Sequence, residues 1–320
     1  MVRTSQRRIS LSSIDLRDEA FRISFGRPIA ALRKSIHAVG LLNPPVVRES
    51  KPKGCFQVVL GFRRVEACRA LRHKEILCRV LATGYTEREV LLMSVHDAVA
   101  SESLNPIEIA RALKRLGEFV EYRELIEAYL PLFGLGRSGE VLMRYVQLLR
   151  LSRSLQLAVA REQLAVGVAG ELLRVLPAER RALFGLFRQL RLGVNLQKEF
   201  FTLCFEISRR DTMSITQLIQ DSGVQEILND ERLSASQKAE HVREHLKQLR
   251  FPRLSEKERR FHSAVKRLGL PPGAALYAPP YFEGTTYRLE LRFGTCAELR
   301  EKVGQLKERL EERLEEGDFE

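Results

Sequence analysis

One short segment, FQVVLGFRRVEACRALRH (Phe56–His73), changes its hydrophobic period at a single glycine, and this constrains the fold more than any other feature. Phe56 to Leu60 is an apolar run bounded by Gly54 and Gly61, which suits a buried strand. Past Gly61, the residues Val65, Ala67, Cys68 and Leu71 recur at three- and four-residue spacings, while Arg63, Arg64, Glu66 and Arg69 take other directions, as in an amphipathic helix. A glycine that turns a strand straight into a helix puts Arg63 and Arg64 in the first helical turn. There the opening amides, the positive helix end and two guanidinium groups together favour phosphate or another anion. The same spacing also fits a solvated basic helix start, and Gly-x-Arg-Arg alone is a weak motif.

The segments around this elbow alternate short strands and helices. ISLSSIDL reads as a strand, RPIAALRKSIHAVG as a helix with Pro28 near its start and Gly40 at its end, and NPPVVRE leads into another strand. EILCRVLA supplies one more after the elbow helix. From Thr86 the pattern becomes helical: Thr86 with Glu89 is a capping box, and Asn105 before Pro106 caps IEIARALKRL. In LPLFGLGRSGEVLMRYVQLLRL a helix ends near Pro131, a glycine-containing turn follows and Ser138 caps an amphipathic helix, the helix-turn-helix plan. Many plain helix pairs share that pattern. Beyond the polar stretch 229–259, the chain reads as helix, strand, strand, helix, with Tyr287, Leu289, Leu291 and Phe293 alternating toward one face and a stripe at Leu299, Val303, Leu306, Leu310 and Leu314. The expected fold class is therefore α+β: a small mixed α/β domain over 1–103, an all-α helix-turn-helix domain over 104–228, a linker or helical connector over 229–259, and a small α-β-β-α (ββα-type) domain over 260–320. The last buries too little by itself, so a homodimer through it is expected.

Charge supports a nucleic-acid partner. The net charge of +12 is spread unevenly: residues 1–100 carry 18 Lys+Arg against 9 Asp+Glu, and residues 131–198 carry 11 against 4. No apolar run approaches a membrane span and MVRTSQRRIS lacks a secretory segment, so the expected address is cytoplasmic, with no membrane partner. The five cysteines form no CxxC pair and the six histidines no ligand spacing with them, so buried thiols are expected rather than zinc or disulfides.

Three stretches in order resemble the ParB family of chromosome and plasmid partition proteins. SIHAVGLLNPPVVRE resembles the family's first signature, GFRRVEACRAL its Gly-Glu-Arg-Arg signature, and DAVASESLNPIEIARALKRL its Glu-Asn-x-x-Arg…Leu-Asn-Pro-x-Glu signature. GRSGEVLMRYVQLLRLSRSLQLAVAREQLAVGVAGELLRVL then resembles its DNA-binding segment, so the likeness runs from about Ile9 to Leu176. The resemblance implies a domain that binds cytidine triphosphate (CTP) and Mg²⁺, with Gly61, Arg63 and Arg64 on the phosphates and Gly40, Asn43 and Pro44 along the nucleotide. It also implies a nucleoid-associated protein with a ParA-type ATPase as a possible partner. This sequence departs from the pattern at the catalytic positions: Phe62 replaces the acidic residue, and Asp97, Ala98 and Ser101 stand where the family has Glu, Asn and Arg. A phenyl ring and a methyl group can neither position water nor take a proton, so weak or absent CTP hydrolysis is expected, with Asp97 the remaining candidate for the metal.

Three functions compete at this level. The leading one is a dimeric ParB-like protein on double-stranded DNA, with Arg137 and Arg144 as base contacts, Ser138, Gly139 and Glu140 close to the groove, and Arg150 and Arg153 nearer phosphate. The second is a ParB-fold nucleotidase or nucleotide-dependent transferase. The third is an adaptor with a vestigial pocket. Sulfiredoxin chemistry, known on related folds, needs a cysteine in the elbow where this chain has Phe62.

Overall fold

The computed structural model describes residues 2–101 and 103–313. It divides into two compact units, Met1–Arg188 with Gly193–Lys198, and Gln189–Leu192 with Glu199–Glu320.

The first unit opens with a five-stranded mixed sheet built from β1 (Thr4–Ser10), β2 (Ile14–Asp15), β3 (Val46–Ser50), β4 (Cys55–Leu60) and β5 (Glu75–Leu81), in the order β1-β5-β3-β4-β2. The segment ISLSSIDL, expected as one strand, is instead the end of β1, a 3₁₀ turn over Leu11–Ser13 and β2. The turn lets the chain leave the sheet edge beside β5 and return at the opposite edge, where β2 runs parallel to β4. Helix α1 (Ala30–Val39) ends at Gly40 with φ 78°, the left-handed-side exit that glycine adopts without strain. Helix α2 (Phe62–Ala70) follows β4 directly, as the change of period requires.

Helix α3 (Glu87–Ser101) starts at the expected capping box, the Thr86 amide donating to Glu89 Oε2 at 2.8 Å. Helix α4 (Pro106–Leu116) starts at Asn105, whose side chain accepts from Ile107 and Glu108. A helical run follows through α5 (Tyr122–Glu124), a π-helical turn over Leu125–Tyr129 and α6 (Leu130–Leu132), and then a turn at Gly134 (φ 71°) leads to α7 (Gly139–Val146). Helices α8 (Arg153–Ala160), α9 (Val166–Glu171) and α10 (Pro177–Gln189) continue the bundle. One continuous hydrophobic core runs from Ile9 and Val58 in the sheet, through Val90 and Leu113, to Leu130 and Leu142. The elbow domain and the helix-turn-helix therefore share an interior.

The second unit holds most of α11 (Val194–Asp211), then α12 (Ile215–Ile219), α13 (Ser222–Asn229), α14 (Ala235–Arg250) and α15 (Pro252–Leu268). Residues 229–259 are thus mostly helical, α14 burying Ala239, Val242 and Leu246 along one face. A two-stranded antiparallel pair, β6 (Ala274–Tyr277) and β7 (Arg288–Leu291), and α16 (Cys296–Arg313) complete it. Phe261 of α15 stacks on Tyr287 with ring centroids 5.7 Å apart. The alternation in β7 does not point a whole face inward: Tyr287 and Leu291 are half-buried, whereas Leu289 and Phe293 are exposed. Along α16 Leu306 is buried while Val303 and Leu310 are exposed, and Leu314, the last residue of that stripe, lies outside the described residues. Cys68, Cys78 and Cys204 are buried as expected, but Cys296 is exposed because it sits at the solvent-facing start of α16.

Candidate functional site

The elbow lines a cleft of about 230 Å³. Gly61 caps α2 in the left-handed conformation, φ 87° and ψ 29°. A Cβ there would lie 3.1 Å from Pro45 Cβ and 3.2 Å from Pro45 Cα, so glycine is required by both backbone and space. Gly61 brings no capping side chain to α2; the Arg64 amide donates to the Gly61 carbonyl at 2.9 Å, and the positive end of the helix still attracts an anion. Arg63 and Arg64 both line the cleft; Arg64 curls back so that Nη1 is 3.4 Å from the position of a Gly61 Cβ, and Arg63 Nη2 donates to the Pro28 carbonyl at 3.4 Å.

The opposite wall comes from Phe21, Ile23, Ser24 and Arg27, and the far end from Ser94, Asp97, Ala98 and Ser101 on α3. Arg27 is locked: its Nε donates to Glu108 Oε1 at 2.7 Å and its Nη2 to Glu108 Oε2 at 2.6 Å. Glu108 is 1% exposed and also accepts from the amides of Phe25 (2.9 Å) and Asn105 (3.0 Å). Next to this clasp, Phe25 lies under the guanidiniums of Arg111 and Arg153, at 4.6 and 5.8 Å from its ring centroid. Burial pushes the Arg111 guanidinium below its ordinary range, with Glu19 opposing that shift. Gly26, at φ 69°, approaches α8 so closely that a Cβ would meet Leu157 Cδ2 at 3.0 Å. The segment that walls the cleft is therefore fastened to α4 and α8 of the helical domain.

Of the residues expected along a nucleotide, Gly61, Arg63 and Arg64 come together with Asp97 on one cleft. Gly40, Asn43 and Pro44 do not line it; they lie on the α1–β3 connection, and it is the next residue, Pro45, that packs beneath Gly61. Phe62, at the acidic position, is buried with the Arg22 guanidinium 5.6 Å from its ring centroid, and Arg22 is itself paired with Glu66 at 2.7 Å. Among the described residues no group of three or more His, Cys, Asp or Glu is placed to hold a metal ion. Asp97 is exposed and Glu108 is fully engaged, so the described side chains of the cleft offer one uncommitted carboxylate and do not make a metal-holding set.

The second candidate surface is α7. The Ser138 hydroxyl accepts from the Glu140 amide at 3.2 Å, and Gly139 sits against Tyr122, whose hydroxyl would be 2.3 Å from a Cβ. Leu142 is the buried anchor of the helix, while Glu140, Met143 (57% exposed) and Arg144 face outward. Arg144 Nη2 pairs with Glu140 Oε1 at 2.5 Å one turn earlier, and Arg137 lies 3.9 Å from Glu127. Burial pushes the Tyr145 phenol up, with Arg144 opposing it. Arg150 is exposed beyond the helix end, and Arg153 is shared between solvent and the Phe25 ring.

Comparison with known proteins follows this layout. The family model described as the ParB N-terminal domain matches residues 5–96. A probable chromosome-partitioning protein ParB of Xylella fastidiosa is 32% identical over 151 residues, covering 47% of this chain and 46% of that protein. A nucleoid occlusion protein of Bacillus pumilus is 27% identical over 137 residues, covering 43% of this chain and 45% of that protein. The chain spans about half the length of the curated relatives it matches. The solved structure of a C-terminally truncated ParB from Caulobacter crescentus, complexed to the centromeric parS site, is 22% identical, covers 61% of this chain and 98% of that one, and superposes with a TM-score of 0.34, too low to transfer any residue's role. Residues 5–96 thus match the ParB N-terminal domain, and over about half of its length the chain is similar to chromosome-partitioning proteins ParB.

Proposed function

We propose that this chain is a ParB-like DNA-binding protein of chromosome or plasmid partition or nucleoid organisation, holding double-stranded DNA with α7 and a CTP-type nucleotide in the Gly61 cleft. The observation that carries the reading is the presentation of Arg137, Glu140 and Arg144 outward from a helix-turn-helix that Leu142 anchors. Early residues of such a helix reach base edges, and flanking arginines such as Arg150 meet phosphate. The test is fluorescence anisotropy on duplex DNA over a salt series. Arg137→Ala with Arg144→Ala should weaken binding to a preferred sequence by at least about tenfold. Unchanged affinity and unchanged sequence preference would move the DNA to another surface.

Two further elements belong to the same reading. The nucleotide is bound but turned over weakly or not at all, because Phe62 is buried and apolar and Ala98 has no polar side-chain atom. DNA-stimulated phosphate release by the purified chain would contradict this. The protein acts as a homodimer through the second unit, whose exposed Leu289, Phe293, Val303 and Leu310 await cover, and a ParA-type ATPase is the partner expected of such a dimer. Leu289→Glu with Phe293→Glu should give a monomer by light scattering, and an unchanged dimer would place the contact elsewhere.

A further inference from the structure

Resting on the nucleotide reading of the cleft, we infer that its phosphates are held without help from a divalent cation, by Arg63, Arg64 and the start of α2 alone. Among the described residues two carboxylates line the cleft, Asp97 and Glu108. A carboxylate offers about four lone-pair sites. Those of Glu108 are taken, Oε1 by the Phe25 amide (2.9 Å) and Arg27 Nε (2.7 Å), Oε2 by Arg27 Nη2 (2.6 Å) and the Asn105 amide (3.0 Å). Turning Glu108 toward a cation would undo both the α4 cap and the clasp on Arg27. Among the described residues of the cleft only Asp97 then remains, exposed on α3, followed by Ala98, which offers no side-chain oxygen, and a turn later by the neutral hydroxyl of Ser101.

The sign of the cation's effect follows from what the protein gains. A nucleoside triphosphate in solution already carries Mg²⁺ on its phosphates, so only contacts between protein and cation that are new in the complex can make affinity depend on the ion. Among the described residues those contacts amount to one exposed carboxylate. Meanwhile Mg²⁺ cancels phosphate charge that two guanidiniums and a helix start attract. Removing the ion therefore leaves affinity unchanged or raises it, and Asp97, a negative group at the cleft, contributes repulsion rather than grip.

Calorimetric titration of CTP into the full chain, in Mg²⁺ and in EDTA, decides the matter. The expected Kd in EDTA is within about twofold of that in Mg²⁺, or tighter, and Asp97→Asn does not weaken binding in Mg²⁺. A loss of about tenfold or more in EDTA, or an equal loss in Asp97→Asn with Mg²⁺ present, would overturn the inference while leaving the nucleotide reading intact. Absence of binding in both buffers would overturn the nucleotide reading itself, and the inference with it. An Arg64→Ala chain that binds as tightly as the wild type in EDTA would also overturn it.

Discussion

Replacing Glu108 by Gln should loosen the cleft wall far more than its single-atom change suggests. The carboxylate accepts four N–H donors in a site 1% exposed, and the amide keeps only one accepting oxygen. Two donors then face an NH₂ group, each unsatisfied buried group costing about 1–3 kcal/mol. Removing one member of a buried ion pair costs about 3–5 kcal/mol, but the Arg27 side chain is 23% exposed and water can reach part of it, so about 2–4 kcal/mol is expected. Hydrogen–deuterium exchange on the full chain reads this locally. Amides over 21–28 and in α4 should exchange roughly 30-fold to several hundred-fold faster, while those in α14 stay unchanged. The pairing logic supplies a second arm: Arg27→Met with Glu108→Met should be less damaging than Glu108→Met alone, because no uncompensated charge stays behind. Acceleration below about threefold in Glu108→Gln would refute the clasp as the element that holds this wall.

Gly61→Ala combines a left-handed backbone, about 1–2 kcal/mol, with a Cβ pressed on Pro45, about 1–3 kcal/mol, so exchange in α2 should accelerate strongly; protection equal to wild type would show that the elbow relaxes freely. Glu140→Gln removes both a negative charge near DNA and the partner of Arg144, so non-specific DNA affinity should rise by roughly two- to fivefold, and a fall would mean that the ion pair orients Arg144 for binding. Burial pushes the Cys78 thiol to about 11 and Cys204 to about 12, so thiolate is scarce at both near neutral pH. Iodoacetamide at mildly alkaline pH should therefore label exposed Cys296 first, and early labelling of Cys204 would contradict its burial.

The parts of this fold legible in the sequence are those governed by neighbours along the chain. The apolar run before Gly61, the helical spacing after it, and the Asn105–Pro106–Glu108 cap each rest on contacts within a few residues, and each appears where the pattern put it. Ser138 capping α7 is of the same kind. The clasp was not legible, because Phe25 and Arg27 lie some 80 residues from Glu108 and the segment 17–29 carries no period of either kind. The capping box marked Glu108 as a helix-start residue, and nothing local says that Arg27 shares it. The break of β1 at Leu11–Ser13 leaves only a one-residue slip in the alternation, from Ile9 and Leu11 to Ile14 and Leu16, and the parallel pairing of Ile14 with Phe56 shows that the chain has changed edges. In 229–259 the polar composition hid a narrow stripe, Ala239, Val242 and Leu246, whose spacing of three and four is helical. At the cleft, the sequence pointed to Gly61, Arg63 and Arg64, but Gly40, Asn43 and Pro44 do not line it and it is Pro45 that packs beneath Gly61, a packing relation that no motif spacing encodes.

Whether α7 reads DNA is the central claim, and selection of duplexes from a random pool by the purified full chain tests it most directly. The account predicts that the wild type enriches one discrete sequence and that Arg137→Ala with Arg144→Ala, equally protected in hydrogen exchange, enriches none. Enrichment of the same sequence by both proteins, or of no sequence by the wild type, would contradict it.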